Sequence, residues 1–376
     1  MRVVIAPDKF KGSLDAAGVA AALAAGLREI EPDAVCELIP MADGGDGTVE
    51  AFLADGAEPR TVRVCGPVGA PVDATYAQAG ATAVIEMAAA CGLALLGDRL
   101  DALRATTRGT GELLLDALDR GATRIVLGIG GSATTDGGAG ALAALGARFL
   151  DARGIALDPT PRALAELDRI DLCALDPRVR AVDLAIACDV DNPLLGPHGA
   201  AAIYGPQKGA TPDDVVFLDG VLRRLADAMS VATGRDLREL PGAGAAGGLG
   251  WGLAAACGAR LQPGVTLVAE VRGLANALRG ADLCLTGEGR IDDQTLRGKV
   301  VAGVAALARE AGVPVIAFGG SVQTAVEPEL RAHGVRCVPI VPGPISLETA
   351  MREAETNLRA AAARVAALLR PSTVAR

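Results

Sequence analysis

Short apolar segments, each followed by a polar or glycine-rich loop and then a helical pattern, constrain the fold of this chain more than any other feature. RVVIAPD (2–8) and CELIPMADGG (36–45) show the pattern at the start, and DLCLTGEGR (282–290), VPVIAFGG (313–320) and VRCVPIV (335–341) show it near the end. Buried strands that alternate with helices are typical of a parallel sheet with helices on both faces. We therefore expect an α/β fold built on a five-stranded parallel sheet.

The composition fits such a sheet. Hydrophobic residues make up 51% of the chain, but aromatic residues make up only 2%. The core must therefore consist of Ala, Val, Leu and Ile, which suits helices packed closely on parallel strands. The 48 glycines are dispersed along the chain and indicate many tight loops.

The strand–helix units fall into two groups, two units at the start and three at the end, where a long Ala-rich helix is predicted over 347–369. We interpret residues 1–57 and 278–376 as one discontinuous domain of the Rossmann or flavodoxin-like kind. Residues 58–277 contain further candidate strands and a hairpin-like turn at AQAGAT (77–82), which predicts an inserted mixed α/β domain. Ligands bind where the winding of such a sheet reverses, so we expect the active site in the cleft between the two domains.

Charge and cysteine usage exclude several classes of protein. A net charge of −9 argues against a nucleic-acid partner, although it leaves room for a small anionic ligand. The eight cysteines contain no C-x-x-C pair, so neither a zinc site nor a disulfide framework is predicted. The N-terminus lacks the pattern of a signal peptide, and no apolar run reaches the roughly 18 residues of a membrane span. We expect a cytoplasmic protein without a membrane partner.

The first polar loop, APDKFKGS (6–13), combines an aspartate at a strand end with two lysines and a serine at a helix start. Backbone N–H groups, the helix dipole and the lysines would form an anion site there. The alternative is a solvated turn in which Ser13 caps a helix over 13–30. The candidate residues of this loop are Asp8, Lys9, Lys11 and Ser13.

The second loop, ADGGDGT (42–48), has two aspartates on either side of paired glycines, just before a predicted helix. The carboxylates would suit Mg²⁺, a hard cation that takes oxygen ligands. They would equally serve as turn and cap groups. The candidate residues are Asp43, Gly44, Gly45, Asp46 and Thr48.

The third loop, TGEGRIDDQTLRGK (286–299), places dense polar residues directly after a buried strand, which favours a function over a simple connection. It is not a P-loop, because Lys299 is followed by Val300 and Asp293 occupies a position that needs glycine. Its candidate residues are Glu288, Arg290, Asp292 and Thr295.

A fourth polar region, CDVDNPLLGPHGAAAIYGPQKGA (188–210), begins at a strand end. Pro193 and the absence of a Gly-plus-Glu loop exclude an EF-hand. A site for Mg²⁺ or for substrate hydroxyl groups fits better. The candidate residues are Asp189, Asp191, Asn192 and the glycine-flanked Lys208.

The loop GIGGSATTDGGAG (128–140) is ambiguous. Its G-x-G-x-x-A spacing after an apolar strand, with Asp151 18 residues beyond Ala133, resembles the fingerprint of a dinucleotide-binding dehydrogenase. Two observations oppose that interpretation. ARFLDARGIALD (147–158) predicts a hairpin with Asp151 at its turn, and a nicotinamide enzyme has no need of the lysine- and aspartate-bearing loops. We favour a loop that holds phosphate or substrate, with candidate residues Gly130, Gly131, Ser132 and Thr134, in which Asp136 either acts chemically or only caps the turn.

The stretch PGAGAAGGLGWG (241–252) also leaves two alternatives open. It would form either a flexible anion-binding loop or a close helix contact through small residues. Trp251, the only tryptophan, would either stack on a base or be buried.

Taken together and in this order, the loops resemble the type-1 glycerate kinase family from residue 3 to about residue 340. The resemblance implies ATP-dependent phosphorylation of D-glycerate, typically on the 2-hydroxyl, with Mg²⁺, and a Rossmann-like domain interrupted by a second α/β domain. Departures from the family pattern are Lys9, Asp46, Cys91 and Thr135, where members often have Ser, Glu, Ser and Asn. The segments that carry the resemblance are APDKFKGSL, ADGGDGT, IEMAAACGL, TRGTGELLLDALDRG, GIGGSATTDGGAG, CDVDNPLLGPHGA, YGPQKGA and TGEGRIDDQT.

The resemblance suggests a role for each group of residues. Lysines of the first loop would neutralise phosphate, Arg290 would bind the glycerate carboxylate, and Asp136 would serve as a base or metal ligand. Asp189 and Asp191 would hold Mg²⁺ or orient the accepting hydroxyl. We predict Lys11, Asp136, Asp189 and Arg290 as catalytic residues and Asp43, Asp46 and Asp191 as metal ligands.

The remaining candidates would bind substrate or phosphate in a monomer or homodimer. They are Asp8, Lys9, Ser13, Gly44, Gly45, Thr48, Gly130, Gly131, Ser132, Thr134, Asn192, Lys208, Glu288 and Thr295. The alternative functions are an NAD(P)-dependent dehydrogenase of a small hydroxy acid and a non-catalytic metabolite-binding protein.

Overall fold

The computed structural model describes residues 1–45, 47–54, 56–296 and 299–369. Over these residues the strands are β1 (Arg2–Ile5), β2 (Val35–Leu38), β3 (Glu58–Cys65), β4 (Pro71–Ala79), β5 (Thr82–Glu86), β6 (Arg124–Gly128), β7 (Arg148–Leu150), β8 (Arg169–Asp171), β9 (Asp183–Ala187), β10 (Arg260–Gln262), β11 (Leu283–Ile291), β12 (Val315–Val322) and β13 (Val335–Pro339).

The α-helices over the same residues are α1 (Ala16–Ile30), α2 (Thr48–Ala54), α3 (Ala88–Cys91), α4 (Arg108–Asp119), α5 (Ala139–Ala144), α6 (Pro161–Leu164), α7 (Arg178–Ala181), α8 (Ala200–Tyr204), α9 (Pro212–Thr233), α10 (Leu249–Cys257), α11 (Gly264–Val271), α12 (Leu274–Leu278), α13 (Val300–Glu310), α14 (Glu327–Ala332), α15 (Leu347–Arg352) and α16 (Ala354–Leu369). Short 3₁₀ turns lie at Leu93–Leu95, Pro206–Lys208 and Ala245–Gly248. None of the helices in the described ranges is long and apolar enough to cross a bilayer.

The chain divides into two compact units. Unit one comprises Met1–Asp43 and Val265–Arg376, and unit two comprises Gly44–Gly264. Each unit has its own sheet and its own apolar core.

Unit one contains the predicted parallel five-stranded sheet, with strand order β13-β12-β11-β1-β2. Every neighbouring pair is parallel. Val3 lies opposite Cys36 of β2 on one side and Leu283 of β11 on the other. The chain therefore leaves the sheet after β2 and resumes on the far side of β1, so the loops that follow β1 and β11 are neighbours.

Two helix boundaries in unit one differ from the prediction. The helix predicted over 13–30 begins at Ala16, because Asp15 is its N-cap and accepts a hydrogen bond of 2.6 Å from the Gly18 amide. Ser13 is not the cap; its hydroxyl donates to the Met351 carbonyl over 2.6 Å. The helix predicted over 347–369 is two helices, α15 and α16, separated at Glu353.

Unit two is built on a mixed sheet with strand order β10-β9-β6-β5-β4-β3. The strands β5, β6, β9 and β10 are parallel, while β3, β4 and β5 are joined as antiparallel neighbours. The turn between β4 and β5 lies at the predicted AQAGAT hairpin. Trp251 is 1% exposed and lies in the core of this unit. Of the two alternatives stated above for Trp251, the structure therefore shows the buried one.

Candidate active site

In unit one, hydrogen bonds join the loops that follow β1 and β2 to each other and join the end of β1 to the neighbouring strand β11. The Asp8 amide donates to the Gly287 carbonyl over 2.8 Å, and the Met41 amide donates to the Pro7 carbonyl over 2.8 Å. The Thr286 hydroxyl adds a bond of 2.8 Å to the Ala6 carbonyl. The carboxyl ends of β1, β2 and β11 therefore form one rigid edge, which is where ligands bind to open parallel sheets.

Three carboxylates are electrostatically coupled at this edge. Burial, followed by the nearby Asp43 carboxylate, raises the pKa of Asp8 to about 7, against the opposing hydrogen bond from the Lys9 amide. Burial also raises the pKa of Glu288 to about 7, and Asp43 contributes to that shift. The structure thus brings together the predicted residues Asp8, Asp43 and Glu288.

Glu288 is held by a tight turn. The Thr295 hydroxyl donates to Glu288 Oε1 over 2.5 Å, and it accepts a bond of 3.0 Å from the Asp292 amide. Thr295 is fully buried and Glu288 is buried, while Asp292 Oδ1 accepts from the Gln294 amide over 3.0 Å. Thr295 therefore acts on Glu288, and Asp292 organises the turn.

The cationic candidates of unit one lie nearer to solvent. Arg290 has a 65% exposed side chain, and its Nε lies 3.1 Å from Asp292 Oδ2. Lys11 is exposed and Lys9 is half-buried. Because Asp15 caps α1, the start of that helix presents a carboxylate to solvent rather than open N–H groups.

In unit two, the loop 128–138 follows β6 in the middle of the parallel strands. Gly130 and Gly131 are exposed, whereas the residues from Ser132 to Asp136 are buried. Over the described ranges, the backbone N–H groups of Gly130, Gly131 and Ser132 have no hydrogen-bond acceptor. Consecutive backbone N–H groups without an acceptor can bind an anion.

The same loop is anchored by its neighbours. The Leu93 amide donates to the Gly131 carbonyl and the Ala133 amide donates to the Cys91 carbonyl, both over 2.9 Å. Further along, the Gly137 amide donates to the Gly247 carbonyl over 2.9 Å. Gly247 belongs to the stretch 241–252, whose residues from 242 to 250 are buried, so this stretch packs closely instead of forming an open loop.

Asp136 caps the turn from inside the protein. It is fully buried and accepts bonds from the Thr107 amide (2.7 Å), the Thr107 hydroxyl (2.8 Å), and the Gly138 and Gly140 amides (3.1 Å each). Burial raises the pKa of Asp136, and these hydrogen bonds oppose the shift. Thr107 joins the start of α4 to this loop, and it is not among the residues predicted from the sequence. Its position just before a predicted helix, where threonine often acts as an N-cap, is the only sequence feature that could have indicated it.

Lys208 also lies inside unit two. Its side chain is 1% exposed, and its Nζ donates to the Thr134 carbonyl over 2.5 Å. Burial lowers the pKa of Lys208 to about 7, and the nearby Asp136 opposes the shift. The hydroxyls of Thr134 and Thr135 are buried without a hydrogen-bond partner in the described ranges.

The loop that follows β9 contains the predicted residues Asp189, Asp191 and Asn192. Asp189 is exposed and accepts a bond of 2.9 Å from the Gly264 amide, and Asp191 is exposed. Asn192 is used within its own loop, because its Nδ2 donates to the His198 carbonyl over 2.9 Å and its Oδ1 accepts from the Tyr204 hydroxyl over 2.7 Å. Asn192 therefore shapes the loop, and the two aspartates remain accessible.

The segment that opens unit two packs on the carboxyl ends of β6 and β9. A Cβ atom on Gly128 would lie 2.4 Å from the Gly44 carbonyl oxygen, so a larger residue does not fit there. The Thr48 hydroxyl donates to the Gly45 carbonyl over 2.8 Å. Asp46, predicted as a metal ligand, lies outside the described residues.

No group of three or more His, Cys, Asp or Glu side chains in the described ranges is arranged to hold a metal ion. The dehydrogenase alternative also lacks its ribose-binding acid. Asp151 lies in the predicted turn, where it accepts bonds from the Arg153 amide (2.9 Å) and the Ile155 amide (2.8 Å), after a strand that belongs to a small antiparallel sheet.

These features define the class of the protein as an α/β protein with candidate ligand-binding loops at the ends of its parallel strands. Both units are α/β, and each presents glycine-rich or acidic loops at the carboxyl ends of parallel strands, the usual position of enzyme sites in such folds. The polar groups of the two units suit an anionic ligand and a hard cation.

Comparison with known proteins places the chain within this class. The model of the glycerate kinase family matches residues 3–370. Glycerate kinase of Bacillus subtilis (strain 168) and glycerate 2-kinase of Escherichia coli (strain K12) are each 46% identical, with 98% of both chains covered. A crystal structure from Salmonella typhimurium LT2, of a protein named provisionally as glycerate kinase 2, matches with a TM-score of 0.90 at 46% identity and 98% coverage of each chain. The chain therefore belongs to the glycerate kinase family, and it is a kinase.

Proposed function

We propose that this protein transfers the terminal phosphoryl group of ATP to the 2-hydroxyl of D-glycerate, which gives 2-phosphoglycerate and ADP. The observation that carries the proposal is the anchored loop 128–138, whose open N–H groups at Gly130, Gly131 and Ser132 suit a phosphate. The names of the relatives support glycerate as the acceptor, and the Escherichia coli relative supports position 2.

Phosphoryl transfer depends mainly on positioning and on charge stabilisation around the transferred group. The loop 128–138 is held by hydrogen bonds from several elements, so its N–H groups need little reordering when a ligand binds. Lys9 and Lys11 add positive charge in unit one. Because Lys11 is exposed, its side chain can move toward a phosphate without losing buried contacts.

Mg²⁺ fits the donor set of unit one. Burial raises the pKa values of Asp8 and Glu288, and the nearby Asp43 carboxylate adds to both shifts, so a divalent cation beside Asp43 would relieve this repulsion. Mg²⁺ usually binds one or two carboxylates together with waters and substrate phosphates, so three protein ligands are not required. We propose Asp43 as a magnesium ligand in unit one, and Asp46 and Asp191 as magnesium ligands in unit two; when bound, Mg²⁺ neutralises charge on the phosphate oxygens.

For the acceptor, we propose that Asp189 orients or deprotonates the glycerate hydroxyl, since it is exposed at the end of β9. Arg290 is proposed to bind the glycerate carboxylate through its planar guanidinium. Its side chain is 65% exposed although its Nε pairs with the buried Asp292, so the guanidinium is accessible to a substrate carboxylate.

The finer description of the fold belongs to the same proposal. Unit one is proposed to be a Rossmann-like domain that unit two interrupts, because the chain leaves the parallel sheet after β2 and returns to it at β11. We propose that the protein acts in the cytoplasm, where ATP is available, as a monomer or a homodimer.

A coupled ADP-release assay with D-glycerate, L-glycerate and related hydroxy acids tests the function. We expect turnover with ATP, Mg²⁺ and D-glycerate, and identification of the product separates 2- from 3-phosphoglycerate. The absence of turnover with either enantiomer would contradict the proposal. Oxidation of a hydroxy acid with NAD(P)⁺ would show a dehydrogenase instead, and ligand-induced thermal stabilisation without turnover would show a binding protein.

A further inference from the structure

Lys208 is a lysine that does not reach solvent. It is the last residue of the 3₁₀ turn Pro206–Lys208. Its Nζ donates a hydrogen bond to the carbonyl of Thr134, which lies 74 residues earlier in the sequence. A buried ammonium group is costly unless the structure uses it. Its contact with Thr134 places it against the buried part of the loop 128–138, whereas Gly130 and Gly131 of the same loop are exposed.

Asp136 secures the same loop two residues further along. Its Oδ2 accepts from the amide and hydroxyl of Thr107 and from the Gly140 amide, while its Oδ1 accepts from the Gly138 amide. The Thr107 hydroxyl in turn accepts a bond of 2.9 Å from the Ala141 amide. The starts of α4 and α5 are therefore joined to the loop through one fully buried carboxylate that already accepts four hydrogen bonds.

The backbone at Gly247 packs directly against the loop at Thr134. A Cβ atom on Gly247 would lie 2.0 Å from the Thr134 carbonyl oxygen, the same atom that Lys208 binds. The loop is thus packed against Gly247 and held at Thr134 and Asp136, while over the described ranges the N–H groups of Gly130, Gly131 and Ser132 have no acceptor and the two glycines are exposed.

We propose that Lys208 and Asp136 are positioning residues, which hold the 130–138 backbone so that the N–H groups of Gly130, Gly131 and Ser132 are preset to receive a phosphoryl group. Neither side chain touches the substrate. This inference rests on the proposed function, and it replaces the binding role predicted for Lys208 and the catalytic role predicted for Asp136 with an indirect one.

The test compares Lys208→Met with a matched control, Arg224→Met. Arg224 also donates from a cationic side chain to a distant carbonyl of unit two, that of Leu167 over 3.1 Å, but it does not contact the loop. Both variants lose one long-range hydrogen bond and one basic group, and they differ in that Lys208 is buried and Arg224 is exposed. Hydrogen exchange of residues 130–138 and steady-state kinetics with ATP and D-glycerate are measured for both proteins and for the wild type.

For Lys208→Met we expect exchange of the hydrogen-bonded amides of this loop, those of Ala133, Gly137 and Gly138, to become about tenfold faster, with exchange in α9 unchanged. We also expect the KM for ATP to rise about tenfold while kcat falls by no more than about threefold, because the loop must then be ordered by the ligand. Arg224→Met should change neither the exchange of this segment nor the KM.

Two results would overturn the inference. If Lys208→Met loses global stability like the control but leaves loop exchange and KM unchanged, Lys208 is only structural. If kcat collapses while loop exchange stays at the wild-type rate, Lys208 acts directly in the reaction. Should Lys208→Met fail to fold, Thr107→Val removes one anchor of Asp136 without touching Lys208, and the same two readouts apply.

The exchange measurement does not depend on turnover. If the wild-type protein fails to phosphorylate glycerate, the proposed function is wrong, but faster exchange of 130–138 in Lys208→Met would still establish the anchoring. If the wild type is active and the exchange is unchanged, only the positioning role fails.

Discussion

At the scale of single residues, burial decides which of the polar side chains can meet a ligand. Asp189 and Asp191 are exposed at the end of β9, whereas Asp136 and Lys208 are enclosed by other parts of unit two. All four are charged residues in polar loops that the sequence analysis assigned to the site, and their local sequence does not distinguish the exposed pair from the buried pair. The side chains that act on substrate are therefore to be sought among the exposed ones.

Asp189→Asn tests the role proposed for Asp189. The amide oxygen can still accept the hydrogen bond from the Gly264 amide, so the loop should keep its shape and the thermal unfolding midpoint should stay close to that of the wild type. We expect kcat to fall by about 100-fold or more, since an amide can neither accept a proton nor neutralise Mg²⁺. The ADP-release assay measures this. Near-normal turnover would remove Asp189 as a base and as a metal ligand.

Lys208 predicts a pH dependence of stability. Its pKa is lowered from 10.5 to about 7 in the folded protein, so between these values the unfolded chain holds a proton that the folded protein has released. Unfolding then takes up a proton, and the free energy of unfolding should rise with pH by up to about 1.4 kcal/mol per pH unit across this window. Below pH 7 both states are protonated, and this contribution becomes constant.

Urea unfolding of the wild type and Lys208→Met at pH 6.5, 8 and 9.5 measures the effect. The difference in free energy between the two proteins isolates Lys208 from other titrating groups. Parallel stability curves across this range would show that the folded protein keeps Lys208 protonated.

At the scale of elements, close backbone contacts determine where the loops can lie. β6 ends at Gly128, and the chain that opens unit two passes directly over it. Such an approach requires the absence of a side chain. Close backbone contacts at the strand ends therefore help to position the loops of unit two, in addition to the hydrogen bonds.

Gly128→Ala should disrupt this contact. Its Cβ atom would lie 2.4 Å from the Gly44 carbonyl oxygen, and backbone cannot rotate away as a long side chain can. We expect a loss of about 1–3 kcal/mol in the free energy of unfolding. Gly220→Ala in the exposed middle of α9, where a Cβ atom meets nothing within 4 Å, is the control and should add about 0.5–1 kcal/mol. Equal effects of the two substitutions, measured by denaturant unfolding, would refute the packing argument.

At the scale of the whole molecule, the division into units follows from two separate cores. The core of unit two includes Tyr76, Phe149 and Trp251, and it is a different cluster from the core formed by β1, α1 and α16 in unit one. Unit two is also continuous in sequence, from Gly44 to Gly264. It has what a domain needs in order to fold by itself.

A fragment comprising residues 44–264 should therefore fold cooperatively. We expect a single thermal transition by circular dichroism and slow hydrogen exchange in β5, β6 and β9, because the sheet and its covering helices are complete within the fragment. A fragment that lacks a cooperative transition would show that this core depends on unit one.

Much of the fold could be predicted from the sequence, because local patterns specify it. Apolar runs such as RVVIAPD and VPVIAFGG lie in β1 and β12 of the parallel sheet, and the hairpin at AQAGAT joins β4 to β5. Helix boundaries were less predictable, since Ser13 and Asp15 both suit an N-cap and only packing against Met351 selects between them.

The same distinction between local sequence patterns and tertiary packing applies to the candidate site. The sequence by itself determined the family, the parallel five-stranded sheet of unit one and the identity of the polar loops, because these depend on residue types at short spacings. Tertiary structure alone decided which way the loop residues face. Lys208 turns inward because its acceptor, Thr134, is 74 residues away, and Asp136 is enclosed because Thr107 lies 29 residues before it. Contacts at such separations form only when the sheet has brought the loops together, so the roles of these two residues follow from packing rather than from their motifs.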